Sequence, residues 1–275
     1  MLSFRIVFFS IANGNREHKG ECSLQVYLAV TPGQAQAAAK YRRPLAHVAY
    51  RIGEGSVLLR QNLLLQTQGG LLSVSDRKAP VIDDPEALCA AVLRECGRRN
   101  YQGILLDFEE PPRPDRQTFI RRLDEVAGRR ALYLPERYAE GTKNAVPLIC
   151  AAVSGGNFTE RLREAAGQRG GRLALDMERL RMDFRLPAPT GQGEPLSAAT
   201  LSRLMEQEAP AVFFSQDLCA RYFTYTRDGE CHFVLFDDAE TLRQKLRTGT
   251  ALGFSAAFFM WPEVQDIADG LFQPF

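Results

Sequence analysis

No run of this chain is apolar for long enough to span a bilayer, so a membrane-embedded helical protein is set aside at once. Charge of one sign is missing too. The formal net charge is +1, from 34 basic and 33 acidic residues, and this excludes both the basic footprint of a nucleic-acid binder and a charged, disordered chain. Cysteine is thin. Cys22, Cys89, Cys96, Cys150, Cys219 and Cys231 include no CxxC pair at zinc spacing and are too sparse for a disulfide scaffold, so they read as reduced, packed thiols. His47 has no second His or Cys at a ligand spacing nearby, and the reading predicts neither metal nor cofactor. Tryptophan is reduced to Trp261. A cleft for long polymers needs several aromatic platforms, which argues for a short or modified neutral ligand, although eight tyrosines can substitute.

What is present fits one large α/β domain. Hydrophobic residues make up 45% of the 275 and charged residues 24%, enough for a sizeable core. Apolar, strand-like runs fall at residues 24–31, 45–52, 71–75, 103–107, 132–134, 148–153 and 172–178. Helical patterns stand between several of them, at 34–40, 84–98, 115–126 and 159–166, with Pro85 at a helix start and Asp115 as an expected N-cap. Such alternation implies a parallel sheet with right-handed crossovers. A Pro- and Gly-rich loop at 187–195 and a hairpin signal at Arg227-Asp228-Gly229-Glu230 interrupt the rhythm before the last unit. The opening residues 1–12 resemble a secretion signal only faintly, and a first strand or ordered lead-in is expected there, with a cytoplasmic setting and export left open.

The chain is organised around Tyr101-Gln102-Gly103-Ile104-Leu105-Leu106-Asp107-Phe108-Glu109-Glu110-Pro111. An apolar run ending in acids and prolines is a buried parallel strand meeting its loop. Alternation puts Leu105, Asp107 and Glu109 on one face and Leu106 and Phe108 on the other. The Cα atoms of the two acids then stand roughly 6 to 7 Å apart, close enough for one charge to hinder ionisation of the other. As the bland alternative, these are solvated strand-end acids or helix-terminus acids.

The segment resembles the fourth strand of family-18 glycoside hydrolases, the chitinase-like enzymes, whose pattern is Asp-Gly-x-Asp-x-Asp-x-Glu. Gly103, Asp107 and Glu109 match, while Gln102 and Leu105 replace the first two acids. A His and a Tyr on the second strand (His47 and Tyr50) and the closing Phe236-Asp237-Asp238, helix, and Gly253-to-Trp261 strand are similar to the family as well. The resemblance implies a single (β/α)8 barrel over residues 1–275, with an insertion at about 187–236. It implies that Glu109 protonates the glycosidic oxygen and that Asp107 orients a 2-acetamido group whose carbonyl oxygen attacks the sugar carbon. Asp107 is expected to raise the pKa of Glu109, and Trp261 to floor a sugar ring. Around that pair, Glu136, Asp176, Glu178, Tyr27 and Tyr50 are the candidate substrate-binding residues.

Two departures matter. Leu105 removes the acid that shares charge with the Asp107 position, and Val153-Ser154-Gly155-Gly156 offers no counterpart to the family's Met-x-Tyr-Asp after strand six. Three readings therefore stand: a hydrolase acting on a glycan containing N-acetylated sugars, a silent barrel binding a glycan or protein partner, and a barrel whose chemistry uses Glu136, Asp176 and Glu178.

Overall fold

Eight parallel strands close into a barrel in the computed structural model, which describes residues 24–61, 67–169, 172–188 and 191–272. Expectations for residues 1–12 and for Cys22 lie outside the described residues. From the N-terminal side come β1 (Gln25–Val30), α1 (Ala35–Ala39), β2 (Leu45–Gly53), the antiparallel appendage β3 (Val57–Arg60), and β4 (Leu71–Ser75). Next are α2 (Pro85–Arg98), β5 (Gly103–Asp107), α3 (Pro114–Val126), β6 (Ala131–Pro135), β7 (Val146–Cys150), α4 (Phe158–Arg169) and β8 (Ala174–Asp176). After an excursion, α6 (Ala239–Ala251), β14 (Ala256–Met260), α7 (Trp261–Val264) and α8 (Ala268–Phe272) complete the ring. Closure comes from β1, which pairs in parallel with both β2 and β14.

The excursion is a second, antiparallel sheet. It holds β9 (Arg181–Leu186), β10 (Glu194–Pro195), β11 (Phe213–Ser215), β12 (Ala220–Arg227) and β13 (Glu230–Phe236), in the order β10-β9-β13-β12-β11. The sheet thus begins at Arg181, ahead of the loop at 187. Helix α5 (Ala198–Glu208) covers one face, burying Leu201 and Leu204 against Phe223, Val234 and Phe236. The β12–β13 turn has Asp228 and Gly229 both at positive φ, 52° and 77°, the geometry a two-residue hairpin requires.

Two shells of apolar packing hold the barrel. Between strands and helices lie residues such as Leu106, Phe108, Phe119 and Ile120 on one side and Leu28, Ile149, Phe259 and Trp261 on the other. Inside the barrel, Ala29, Ala46, Ala174 and Ala256 leave room for Tyr133 and Phe258. Tyr27 stacks on Phe258 at 4.9 Å between centroids, and Tyr133 meets the same ring edge-on at 4.8 Å. These rings plug the interior, so the open volume lies above them, at the carboxyl ends of the strands. Gly103 of the matched motif has a packing reason. A Cβ there would lie 2.8 Å from the Ala131 carbonyl oxygen of the neighbouring strand.

One cap expectation is corrected. The N-cap of α3 is Arg113, and Asp115 sits in the first turn, where its carboxylate accepts the Ile82 N–H at 2.9 Å.

Candidate active site

β5 delivers its acids as strand parity requires. Leu105 packs inside the barrel, Leu106 and Phe108 face the helices, and Asp107 and Glu109 line a cavity of about 390 Å³ at the barrel mouth. Asp107 is half-buried and Glu109 is exposed at the rim. β8 brings Asp176 and Glu178 to the same cavity, and Glu263 of α7 and Arg137, just after β6, complete its charged lining. Among the described residues, five carboxylates share it with one guanidinium.

The loop carrying Glu109 is fixed from both sides. Asp76, fully buried just beyond β4, accepts the backbone N–H of Glu109 at 2.8 Å and that of Glu110 at 3.4 Å. Behind it stands Arg116, also fully buried, with Nε 4.0 Å from the Asp76 carboxylate. Arg116 donates to the carbonyls of Ala79 and Pro80 and to Asp115, so it is held independently of Asp76. On the opposite side Arg137 donates to the Phe108 carbonyl, and the Tyr138 hydroxyl donates to the Glu110 carbonyl at 2.9 Å.

Electrostatics single out Asp107. It is pushed up, to about 6, by burial first and then by the negative charges of Glu109 and Asp76. The Glu109 charge thus hinders ionisation of its strand neighbour. Asp176 is pushed up further, to about 7, by burial and then by Glu178, Asp107 and Glu263. Cys150, at the end of β7, is pushed up to about 12 by burial and the nearby Asp176, so it stays a thiol and donates to Glu178 at 3.5 Å.

Of the residues singled out by sequence, four meet in this cavity: Asp107, Glu109, Asp176 and Glu178. Four do not. Trp261 is 4% exposed and packs in the layer between barrel and helices, 5.5 Å from the Tyr41 ring. On β14 it is Ala256, Phe258 and Met260 that point inward, which leaves Trp261 on the outward parity and gives the cavity wall to Met260. Tyr50 is corrected for a different reason. A bulge between Val48 and Tyr50 breaks the alternation of β2, so Tyr50 turns out toward α2 and donates to Glu95 at 2.8 Å. Tyr27 lies in the interior plug beneath the cavity. Glu136 lies outside the cavity, exposed and paired with Arg161 at 3.2 Å. Sequence reasoning missed Asp76, Arg137 and Glu263, which the fold assembles from the ends of three other strands.

No family model matches the chain, and no curated protein does. Solved structures do match. Chitinase from Chromobacterium violaceum ATCC 12472 superposes with a TM-score of 0.62 at 15% identity, over 90% of this chain and 99% of that one. Class V chitinase from Nicotiana tobaccum gives 0.62 at 13%, over 90% and 99%. The barrel shares its fold with these enzymes. The spore cortex-lytic enzyme SleL of Bacillus megaterium QM B1551 has the same architecture, with a TM-score of 0.61 at 14% identity over 88% of this chain and 73% of that one. At these identities the likeness establishes the fold, and the chemistry of this barrel has to be argued from its own residues.

Proposed function

We propose that this protein is a glycoside hydrolase acting on glycans that contain N-acetylated amino sugars, with Glu109 as general acid and Asp107 as the residue that positions the 2-acetamido group. The observation that carries the reading is the convergence of Asp107 and Glu109, two residues apart on β5, on one cavity at the mouth of a chitinase-type barrel. Glu109 at the rim gives its proton to the glycosidic oxygen as the bond to the sugar carbon breaks. The acetamido carbonyl oxygen forms the replacing bond to that carbon, and ionised Asp107 accepts the amide N–H and faces the positive charge that develops. Water then attacks the same carbon, its proton passes to Glu109, and the acetamide is released.

Leu105 leaves Asp107 without an acidic neighbour below it. Asp76 supplies the neighbouring charge from the β4 side instead, since it is among the groups that raise the Asp107 pKa. With that pKa near 6, Asp107 is mostly ionised at pH 7, the state that accepts the amide N–H, and loses this state as the pH falls below about 6.

A second reading, a barrel that binds glycan without cleaving it, is favoured by Leu105 and by β7, whose end at Cys150-Ala151-Ala152 offers no hydroxyl to hold the acetamide. Release assays on N-acetylated oligosaccharides and cell-wall fragments separate the two, with binding titrations on wild type and Glu109→Gln. Hydrolysis by the wild type and a rate lower by about 10²- to 10⁴-fold in the variant support the general acid. Equal rates in both remove it, and binding by both without release establishes the second reading.

A further inference from the structure

A second cavity, of about 470 Å³, lies on the flank of the barrel, where β11 and β12 of the antiparallel sheet meet α4 and α6. Its lining differs in kind from that of the acidic mouth. Phe214 of the edge strand β11 borders it with 41% of its surface exposed, and Gln216, Gln244, Arg247, Thr159 and Thr248 ring it with hydrogen-bonding groups. Here the ring is held. The Arg221 guanidinium sits 5.6 Å from its centroid, and Asp238 and Glu240 fix that guanidinium at 3.1 and 2.5 Å.

The guanidinium groups of this cavity are already engaged by hydrogen bonds. Arg221 is paired with two carboxylates, and Arg247 donates twice to the side-chain carbonyl of Gln244. An aromatic ring beside a nearly neutral rim of amides, hydroxyls and a guanidinium suits a ligand with an apolar face and hydroxyl or amide edges. We infer that this flank cavity is a saccharide-binding site, separate from the barrel mouth, that anchors the protein to a polymeric glycan. The class of glycan rests on the proposed function; the existence of the site does not.

Retention of the full chain on chitin powder and on purified peptidoglycan sacculi tests this, in parallel with hydrolysis of a short, soluble N-acetylated oligosaccharide. Phe214→Ala and, separately, Gln244→Ala are expected to lower retention on one polymer about tenfold, the loss of one ring or one amide contact to a sugar, with kcat/KM on the short substrate unchanged within about twofold. Thermal melting of both variants checks folding. Unchanged retention on both polymers in both variants overturns the inference. So does a parallel fall in short-substrate kcat/KM, which would place the effect at the barrel mouth. If sedimentation shows that Phe214→Ala splits a dimer while retention holds, the edge strand serves a second copy of the chain and the inference is also overturned. A protein that cleaves nothing but loses retention with Phe214 keeps this site and loses only the proposed hydrolysis.

Discussion

Replacing Asp107 by Asn should make the protein more stable at pH 8 and enzymatically poor. Asp107 titrates at about 6 in the folded chain against an ordinary value of 3.8, because it is buried beside Glu109 and Asp76. A raised carboxyl pKa means that the folded state holds its proton more tightly than the unfolded state does. Stability therefore falls as pH rises through 3.8, and the loss is complete once pH passes about 6. At 1.36 kcal/mol per pKa unit the full loss has a ceiling of about 3 kcal/mol. Asn keeps the shape and removes the charge. Urea melts of wild type and Asp107→Asn should coincide at the lowest pH at which both fold and diverge between pH 4 and 6. Above that the variant stays ahead by up to about 3 kcal/mol, or roughly 6 to 12 °C in Tm. Hydrolysis by the same variant should drop by at least about 10²-fold, since a neutral amide cannot face the developing positive charge as a carboxylate does. Parallel pH–stability curves for the two proteins would refute the assignment of a desolvated, charge-crowded Asp107.

Several smaller tests follow from the same geometry. Asp76→Ala should cost about 1 to 3 kcal/mol in urea melts, because it leaves the amides of Glu109 and Glu110 without their acceptor, while Arg116 keeps its pairing with Asp115. The fall in kcat for that variant, measured under conditions where it is folded, should exceed any change in KM. Ser73→Ala should be neutral or stabilising by up to about 1 kcal/mol in a thermal melt, since the Ser73 hydroxyl is fully buried without a hydrogen-bond partner among the described residues. Trp261→Ala should cost about 3 to 5 kcal/mol in stability while leaving KM for short substrates unchanged, whereas Met260→Ala should raise KM.

Strand parity made the central pair legible, because Asp107 and Glu109 belong to one strand and a period of two is enough to place them together. The same rule fails at Tyr50. The β2 bulge adds a residue between Val48 and Tyr50, and nothing in Leu45-Ala46-His47-Val48-Ala49-Tyr50 announces it; the extra residue follows from pairing with β4, which is a long-range fact. At β14 parity separates Met260 from Trp261 without saying which of them faces in. That choice is made by Phe258, whose stacking on Tyr27 of the neighbouring strand fixes the inward set. The hairpin was readable because Asp-Gly at the turn carries its own backbone requirement. Arg137 and Glu263 were not, since each is one charged residue at a strand end among many, and only barrel closure brings them to the mouth.

Asp76 shows why such a site resists reading from its motif alone. One carboxylate contributes in two ways that the motif assigns to β5 itself: its oxygen holds the Glu109 backbone in place, and its charge helps to lift Asp107 toward neutrality. An acid at position 105 would lie on the same strand as Asp107 and inside the barrel, where Leu105 is now only 4% exposed. Asp76 reaches the pair from the loop after β4, the strand that runs beside β5 in register. Because it binds backbone amides, its position does not depend on which side chain occupies 105. A barrel with Leu105 can therefore keep the placement of Glu109 through Asp76, while burial, Glu109 and, after them, Asp76 keep the Asp107 pKa elevated.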